Sequence, residues 1–326
     1  MKTVTLLIAM MLLIALPTIA LEAQDKKEWI SPEAAAKVID FQLQGEYLGK
    51  RDKVIFGVQI IALGGGNFRM VGYKGGLPGA GWSRGDKSDS HDGKLNDKGQ
   101  LIFVDLDTIA TFKAGKLTFN NGNNFVGSKV ARKSPTMGKA APKGAVVLFD
   151  GTKEAAANNF QRGQIVMNNL LRHDVESKAK FGDHQLHLEF RLPFMPYARG
   201  QGRGNSGMYV QGRYECQILD SFGLAGENNE CGGIYSIAKP NVNMCLPPLV
   251  WQTYDVDFTA ARYDDTGKKV KNARVTISHN GVKIHDDLEL PNGTPGKHPE
   301  GPGPDILYLQ GHGNPVVFRN IWVVKK

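Results

Sequence analysis

Between Asn205 and Asp220 the chain reads NSGMYVQGRYECQILD, and polar groups recur at every second position on either side of Gln211-Gly212. Tyr209 and Gln211 stand in the first arm and Arg213, Glu215 and Gln217 in the second, with Met208, Val210, Tyr214, Cys216 and Ile218 between them. Alternate side chains of a strand point to opposite faces. The spacing therefore predicts two short strands joined by a tight turn, with one face on a core. The other face gathers a carboxylate, a guanidinium, amides and a phenol, where a merely solvated surface would show Lys, Thr and Ser. Such a floor suits a ligand with many hydroxyls.

The same alternation recurs along the C-terminal half. In LHLEFRL, Leu186, Leu188 and Phe190 leave His187, Glu189 and Arg191 opposite; in TYDVDF, Val256 and Phe258 alternate with Asp255 and Asp257. In ILYLQGHG, Leu307 and Leu309 alternate with Tyr308, Gln310 and His312. If these strands share a sheet, Glu189, Glu215, Gln217, Asp257, Gln310 and His312 converge on one face. Strands are expected near 184–192, 206–211, 213–219, 250–260, 273–279, 282–288, 305–311 and 315–324, with Asn280-Gly281 supplying a type I′ hairpin turn. Many short strands with turn signals and almost no helix predict an all-β domain, a β-sandwich or jelly roll, over residues 145–326.

Upstream, SPEAAAKVIDFQLQ predicts a helix capped by Ser31 with Pro32 at its first position. VIFGVQIIAL, NFRMVGY, GQLIFVDL and TIATFKAGKLTF then read as strands of a smaller β-rich domain, a meander or sandwich spanning 25–130. Residues 131–144 lose all periodicity, carry Pro135 and Pro142, and read as an interdomain linker. The glycine runs at 64–66 and 75–82 lack the Gly-Lys-Ser/Thr ending of a phosphate loop and read as turns.

The first 23 residues change the picture of where the chain works. One early lysine, an apolar run from Val4 to Leu16 and small residues around Ala20 and Ala23 read as a secretory signal peptide, which predicts a periplasmic or secreted protein. The run is shorter than the roughly 20 apolar residues that span a bilayer, so no stable membrane span is expected. Export exposes the three cysteines to oxidising conditions. Cys231 and Cys245 bracket a loop that a disulfide would close, contributing on the order of 3 kcal/mol in the chain-entropy model. Cys216, on the apolar phase of its strand, reads as a buried thiol. The formal charge of +8 is spread along the chain, and the ARGQGRGN run has no interleaved aromatics, so it reads as a solvated loop rather than a nucleic-acid tail.

The second half resembles the 3-keto-disaccharide hydrolase family. The resemblance rests on LFDG at 148–151, LHLEFRLP at 186–193, NSGMYVQGRYECQILDSFG at 205–223, WQTYDVDF at 251–258, RVTISHNGVKIHDD at 274–287 and ILYLQGHGNPVVFRNIWV at 306–323. It implies a concanavalin-like jelly-roll sandwich whose concave sheet carries a carbohydrate site. It also implies cleavage of glycosides that bear a ketone at carbon 3: carbon-2 proton abstraction, elimination of the carbon-1 substituent, then hydration. That chemistry calls for a base, an electrophile at the ketone oxygen and an acid for the leaving group.

Glu215 and His312 are the expected base and acid, with Arg213 stabilising the enolate. Glu189, Asn205, Tyr209, Gln217, Asp220, Asp257 and Gln310 are the expected substrate contacts. A divalent metal held by Glu189, Glu215 or His312 would be an alternative electrophile, although no compact metal motif is present. Two other readings compete. One is a conventional glycosidase pairing Glu189 with Glu215; the other is a carbohydrate-binding module without catalysis.

Overall fold

The structure, a computed structural model, describes residues 28–51, 53–120 and 125–326. The signal-peptide reading falls outside the described residues. Ser31 caps the first helix as its sequence predicts, accepting the Ala34 N–H at 3.2 Å. The predicted single helix is instead two short turns, α1 (Pro32–Ala35) and α2 (Ile39–Leu43).

Eight antiparallel strands follow: β1 (Gly45–Arg51), β2 (Val54–Gly64), β3 (Asn67–Lys74), β4 (Ser88–Leu95), β5 (Leu101–Phe103), β6 (Thr108–Lys113), β7 (Lys116–Phe119) and β8 (Val126–Val130). They form a meander, and β8 returns to pair with β1, Glu46 opposite Val130, so the sheet closes into a barrel. Closure removes both exposed edges that an open meander would leave. Tyr47, Ile60, Phe68, Leu101, Phe103 and Leu117 fill its interior.

The rest of the chain is a jelly-roll sandwich of two antiparallel sheets. It begins with β9 (Val146–Phe149), α3 (Lys153–Asn159), β10 (Phe160–Gln161), β11 (Ile165–Val166), β12 (Leu170–Arg172) and β13 (Val175–Phe181). It continues through β14 (His184–Arg191), β15 (Ser206–Val210), β16 (Tyr214–Ile218), β17 (Trp251–Thr259), β18 (Ala273–His279), β19 (Val282–Leu290), β20 (Asp305–Leu309) and β21 (Val317–Lys325). The large sheet has the order β11-β12-β21-β14-β17-β18-β19, with β9 also on β21; the small sheet is β10-β13-β20-β15-β16.

Leu186, Leu188 and Phe190 of the large sheet and Met208, Val210, Tyr214, Cys216 and Ile218 of the small one meet in a single core. The turns follow their sequence signals. Asn280 and Gly281 take φ of 51° and 79°, and Gln211 and Gly212 take 54° and 59°, the left-handed values a tight hairpin requires.

The segment 131–144 is more than a linker, because it lies on the outer face of the large sheet. Ser134 meets Thr253 hydroxyl to hydroxyl at 2.6 Å, Thr136 donates to Asp255 Oδ2 at 2.6 Å, and the Gly138 N–H donates to Glu189 Oε1 at 2.6 Å. The carbonyl of Lys139 accepts from Asn320 and Trp322. Barrel and sandwich also touch directly. Ile61, Val71 and Tyr73 join the sandwich core, and Arg84 donates to the carbonyls of Ala225, Gly226 and Pro240.

Candidate active site

The outer face of the small sheet carries the polar floor that the alternation predicts. β15 and β16 pair in a register that sets Tyr209 opposite Glu215 and Gly207 opposite Gln217. β20 lies on the other side of β15, with Tyr308 opposite Tyr209. Their ring centroids stand 5.4 Å apart, and with Ile306 they form a small apolar cluster separate from the main core.

Glu215 is 3% exposed, and among the described residues no ion pair neutralises it. Burial pushes its carboxyl up to about 7, against the opposing pull of the Tyr209 hydroxyl. Burial, with the neighbouring Glu215 charge, also pushes the Tyr209 hydroxyl up, so it stays protonated at neutral pH. Tyr209 donates to Pro295 O at 3.3 Å and accepts from Gln310 Nε2 at 3.1 Å.

Space for the carboxylate comes from Gly207. A Cβ there would stand 2.3 Å from Glu215 Oε1 and 2.9 Å from the Tyr209 ring. The floor continues through Gln217 and Asn205, whose amide nitrogens both donate to Gln201 Oε1, at 3.2 and 3.1 Å. Asn205 Oδ1 is buried with no hydrogen-bond partner, which leaves it free to accept from a hydroxyl.

The loop after β19 covers one end of this face. Thr294 Oγ1 accepts the Glu215 N–H at 2.9 Å, and the Thr294 and His298 N–H groups donate to the carbonyls of Arg213 and Gly212. Lys297 pairs with Glu176 at 2.7 Å and lies over the Tyr308 ring. Thr294, Lys297, Glu176 and Gln201 escape sequence reasoning because each reaches the floor from a distant loop or strand.

Five expected site residues, three of them substrate contacts, are placed or engaged elsewhere. Glu189 and Asp257 lie on β14 and β17 of the large sheet, on the outer side of the sandwich. Glu189 accepts from Arg319, Asn320 and the Gly138 N–H. Burial raises its carboxyl, but the bonds from His187, Asn320, Gly138 and Arg319 together outweigh that and hold it at about 2. Asp257 pairs with Lys326 and accepts from Gln185. The glycosidase pairing of Glu189 with Glu215 is therefore excluded: stacked sheets are about 10 Å apart and both carboxylates sit on outer faces. The metal set of Glu189, Glu215 and His312 is split for the same reason, and among the described residues no three His, Cys, Asp or Glu side chains cluster for a metal.

The Arg213 guanidinium is taken up by the loop after β19, with its Nε buried and without a partner. It donates to the carbonyls of Gly301 and Gly303 and pairs with Asp305, clamping the loop. Asp220 is bound to Arg203 Nε at 2.6 Å. His312 is exposed on the loop after β20, with no hydrogen bond to the floor.

Cys231 and Cys245 carry free buried thiols, not a disulfide. Cys231 meets the Tyr254 hydroxyl at 3.3 Å, Cys245 donates to Leu219 O at 3.5 Å, and the two thiols are also hydrogen-bonded neighbours.

Residues 144–324 match the 3-keto-alpha-glucoside-1,2-lyase-like domain, and the chain belongs to that family. A solved structure of a candidate glycosyl hydrolase from Parabacteroides distasonis is similar at 30% identity and a TM-score of 0.51, covering 57% of this chain and 85% of that one. Two further candidate glycosyl hydrolases from the same organism align at 19% and 16% identity with TM-scores of 0.38 and 0.40. They cover 56% of this chain in each case, and 99% and 97% of their own. No curated protein matches the chain.

Proposed function

We propose that this chain cleaves 3-keto-glycosides by elimination and hydration on the outer face of the small sheet. One observation carries the reading: Glu215, buried and unpaired in the polar floor of a domain of this family, has its carboxyl raised to about 7. A carboxylate poised there has the basicity to take a carbon-bound proton next to a ketone at neutral pH.

In the proposed cycle Glu215 removes the carbon-2 proton, and the electron pair moves into the carbon 2–carbon 3 bond to give the enolate. The Tyr209 hydroxyl turns its one proton from the Pro295 carbonyl to the enolate oxygen, in place of Arg213. Collapse of the enolate expels the carbon-1 substituent, which takes its proton from solvent, and leaves a double bond between carbons 1 and 2. Water adds hydroxyl to carbon 1 and hydrogen to carbon 2, so the net change is hydrolysis. Asn205, Gln217 and Gln310 hold sugar hydroxyls. The apolar run from Val4 to Leu16 supports a site of action outside the cytoplasm.

The test is turnover of a 3-keto-glucoside and of its unoxidised parent in deuterium oxide. Release from the keto compound alone, with deuterium at carbon 2 of the product, is expected. Equal release from both without deuterium sinks the elimination. Saturable binding without product makes this a carbohydrate-recognition protein.

A further inference from the structure

The Arg-Gly run that reads as a solvated loop in the sequence leads into a cavity between barrel and sandwich. The space measures about 190 Å³, and Arg69, Arg199 and Arg203 line it together with Ile61, Leu63 and Phe222. Arg69 comes from β3 of the barrel; Arg199 and Arg203 flank a single helical turn, Gly200–Gly202, of the sandwich.

The charges do not balance. Arg69 is held by Asp92 in two bonds of 2.7 and 2.9 Å, and Arg203 by Asp220. Arg199 has no carboxylate, and its bonds go to the carbonyls of Pro196, Ala198 and Leu63. Three guanidiniums thus face two carboxylates. Arg203 is 5% exposed, and its Nη2 is buried with no hydrogen-bond partner although Nε and Nη1 are bonded. A guanidinium is never discharged, and the protein supplies Arg203 with one acceptor fewer than its donors call for beside this cavity.

We propose that this cavity is a binding site for a small organic oxyanion, its charged end on the arginines and its body on Ile61, Leu63 and Phe222. The volume falls below the roughly 300–1,000 Å³ of pockets for drug-sized ligands, so the ligand is small. Because the walls come from both domains, the ligand joins barrel to sandwich.

Thermal unfolding of the full chain tests the site, with benzoate as the probe against sulfate and chloride at matched ionic strength. A ligand that binds only the folded state raises the midpoint with its concentration. Benzoate is expected to raise it most, and Arg199→Gln, which breaks no ion pair, to abolish the excess. Should that variant fail to fold, Arg69→Gln on the barrel wall serves, with the excess at least halved. A benzoate shift no larger than that of chloride, or equal in wild type and variant, overturns the site. A shift no larger than that of sulfate overturns an organic ligand.

Discussion

The carboxylate of Glu215 rests over Gly207 on the neighbouring strand, in space that a single methyl group at Gly207 would occupy. Strand register and the absence of a side chain therefore place the acid in the polar floor. Burial then sets its protonation.

Glu215→Gln is expected to abolish turnover and to stabilise the fold at alkaline pH. A carboxyl whose pKa rises from 4.5 to about 7 on folding binds more protons folded than unfolded between those values. Stability therefore falls as pH rises through that window and levels off above it. At one unit per 1.36 kcal/mol the effect is at most about 3 kcal/mol. Urea unfolding of both proteins at pH 5 and pH 8 measures it: the variant gains only at pH 8. In the wild type, kcat/KM rises through about pH 7 as the base ionises.

Gly207→Ala forces the Glu215 carboxylate aside. A displacement near 1 Å costs about 100-fold in rate, so kcat is expected to drop by that order while circular dichroism shows an intact sandwich. Unchanged kcat would separate Glu215 from the chemistry.

Glu189→Gln acts on the fold. Breaking a fully buried ion pair costs about 3–5 kcal/mol; Glu189 is bound to the 131–144 segment and to Arg319, whose side chain is 36% exposed, so the loss falls below that range. Denaturant unfolding should show the loss, while KM stays unchanged below the unfolding transition. A raised KM would put Glu189 back among the substrate contacts.

Arg213→Lys loosens the loop it clamps. Faster amide hydrogen exchange at Thr294 and His298 is expected, since their N–H groups donate to the carbonyls of Arg213 and Gly212. If exchange there is unaltered and kcat falls, Arg213 stabilises the enolate after all.

The three thiols should all resist a thiol reagent in the folded protein and all react once it is unfolded without reductant. Finding one reactive thiol in the unfolded chain would mean that Cys231 and Cys245 are joined.

Much of the sandwich is legible because strand periodicity is local. NSGMYVQGRYECQILD sets the phase of Tyr209, Glu215 and Gln217 and the turn at Gln211-Gly212, and Asn280-Gly281 turns where its residue types demand. Which sheet a strand joins is a long-range property. The alternation of Glu189 and Asp257 is right in phase, yet both strands belong to the other sheet. Arg213 likewise has the right phase, but a loop some ninety residues downstream captures its guanidinium. Barrel closure escapes notice because it depends on β1 meeting β8 across the whole domain. The 131–144 segment has no periodicity to read, since side chains and isolated N–H groups hold it.

That segment separates the unit of descent from the unit of folding. The family match begins at residue 144, but Glu189 and Asp255 are capped by residues that precede it. A chain trimmed to the matched span would take one donor from each of two acids, the Gly138 N–H from Glu189 and the Thr136 hydroxyl from Asp255, and bare that sheet face. The contacts of the sandwich thus run past the family boundary, back to Ser134 beside the barrel's last strand.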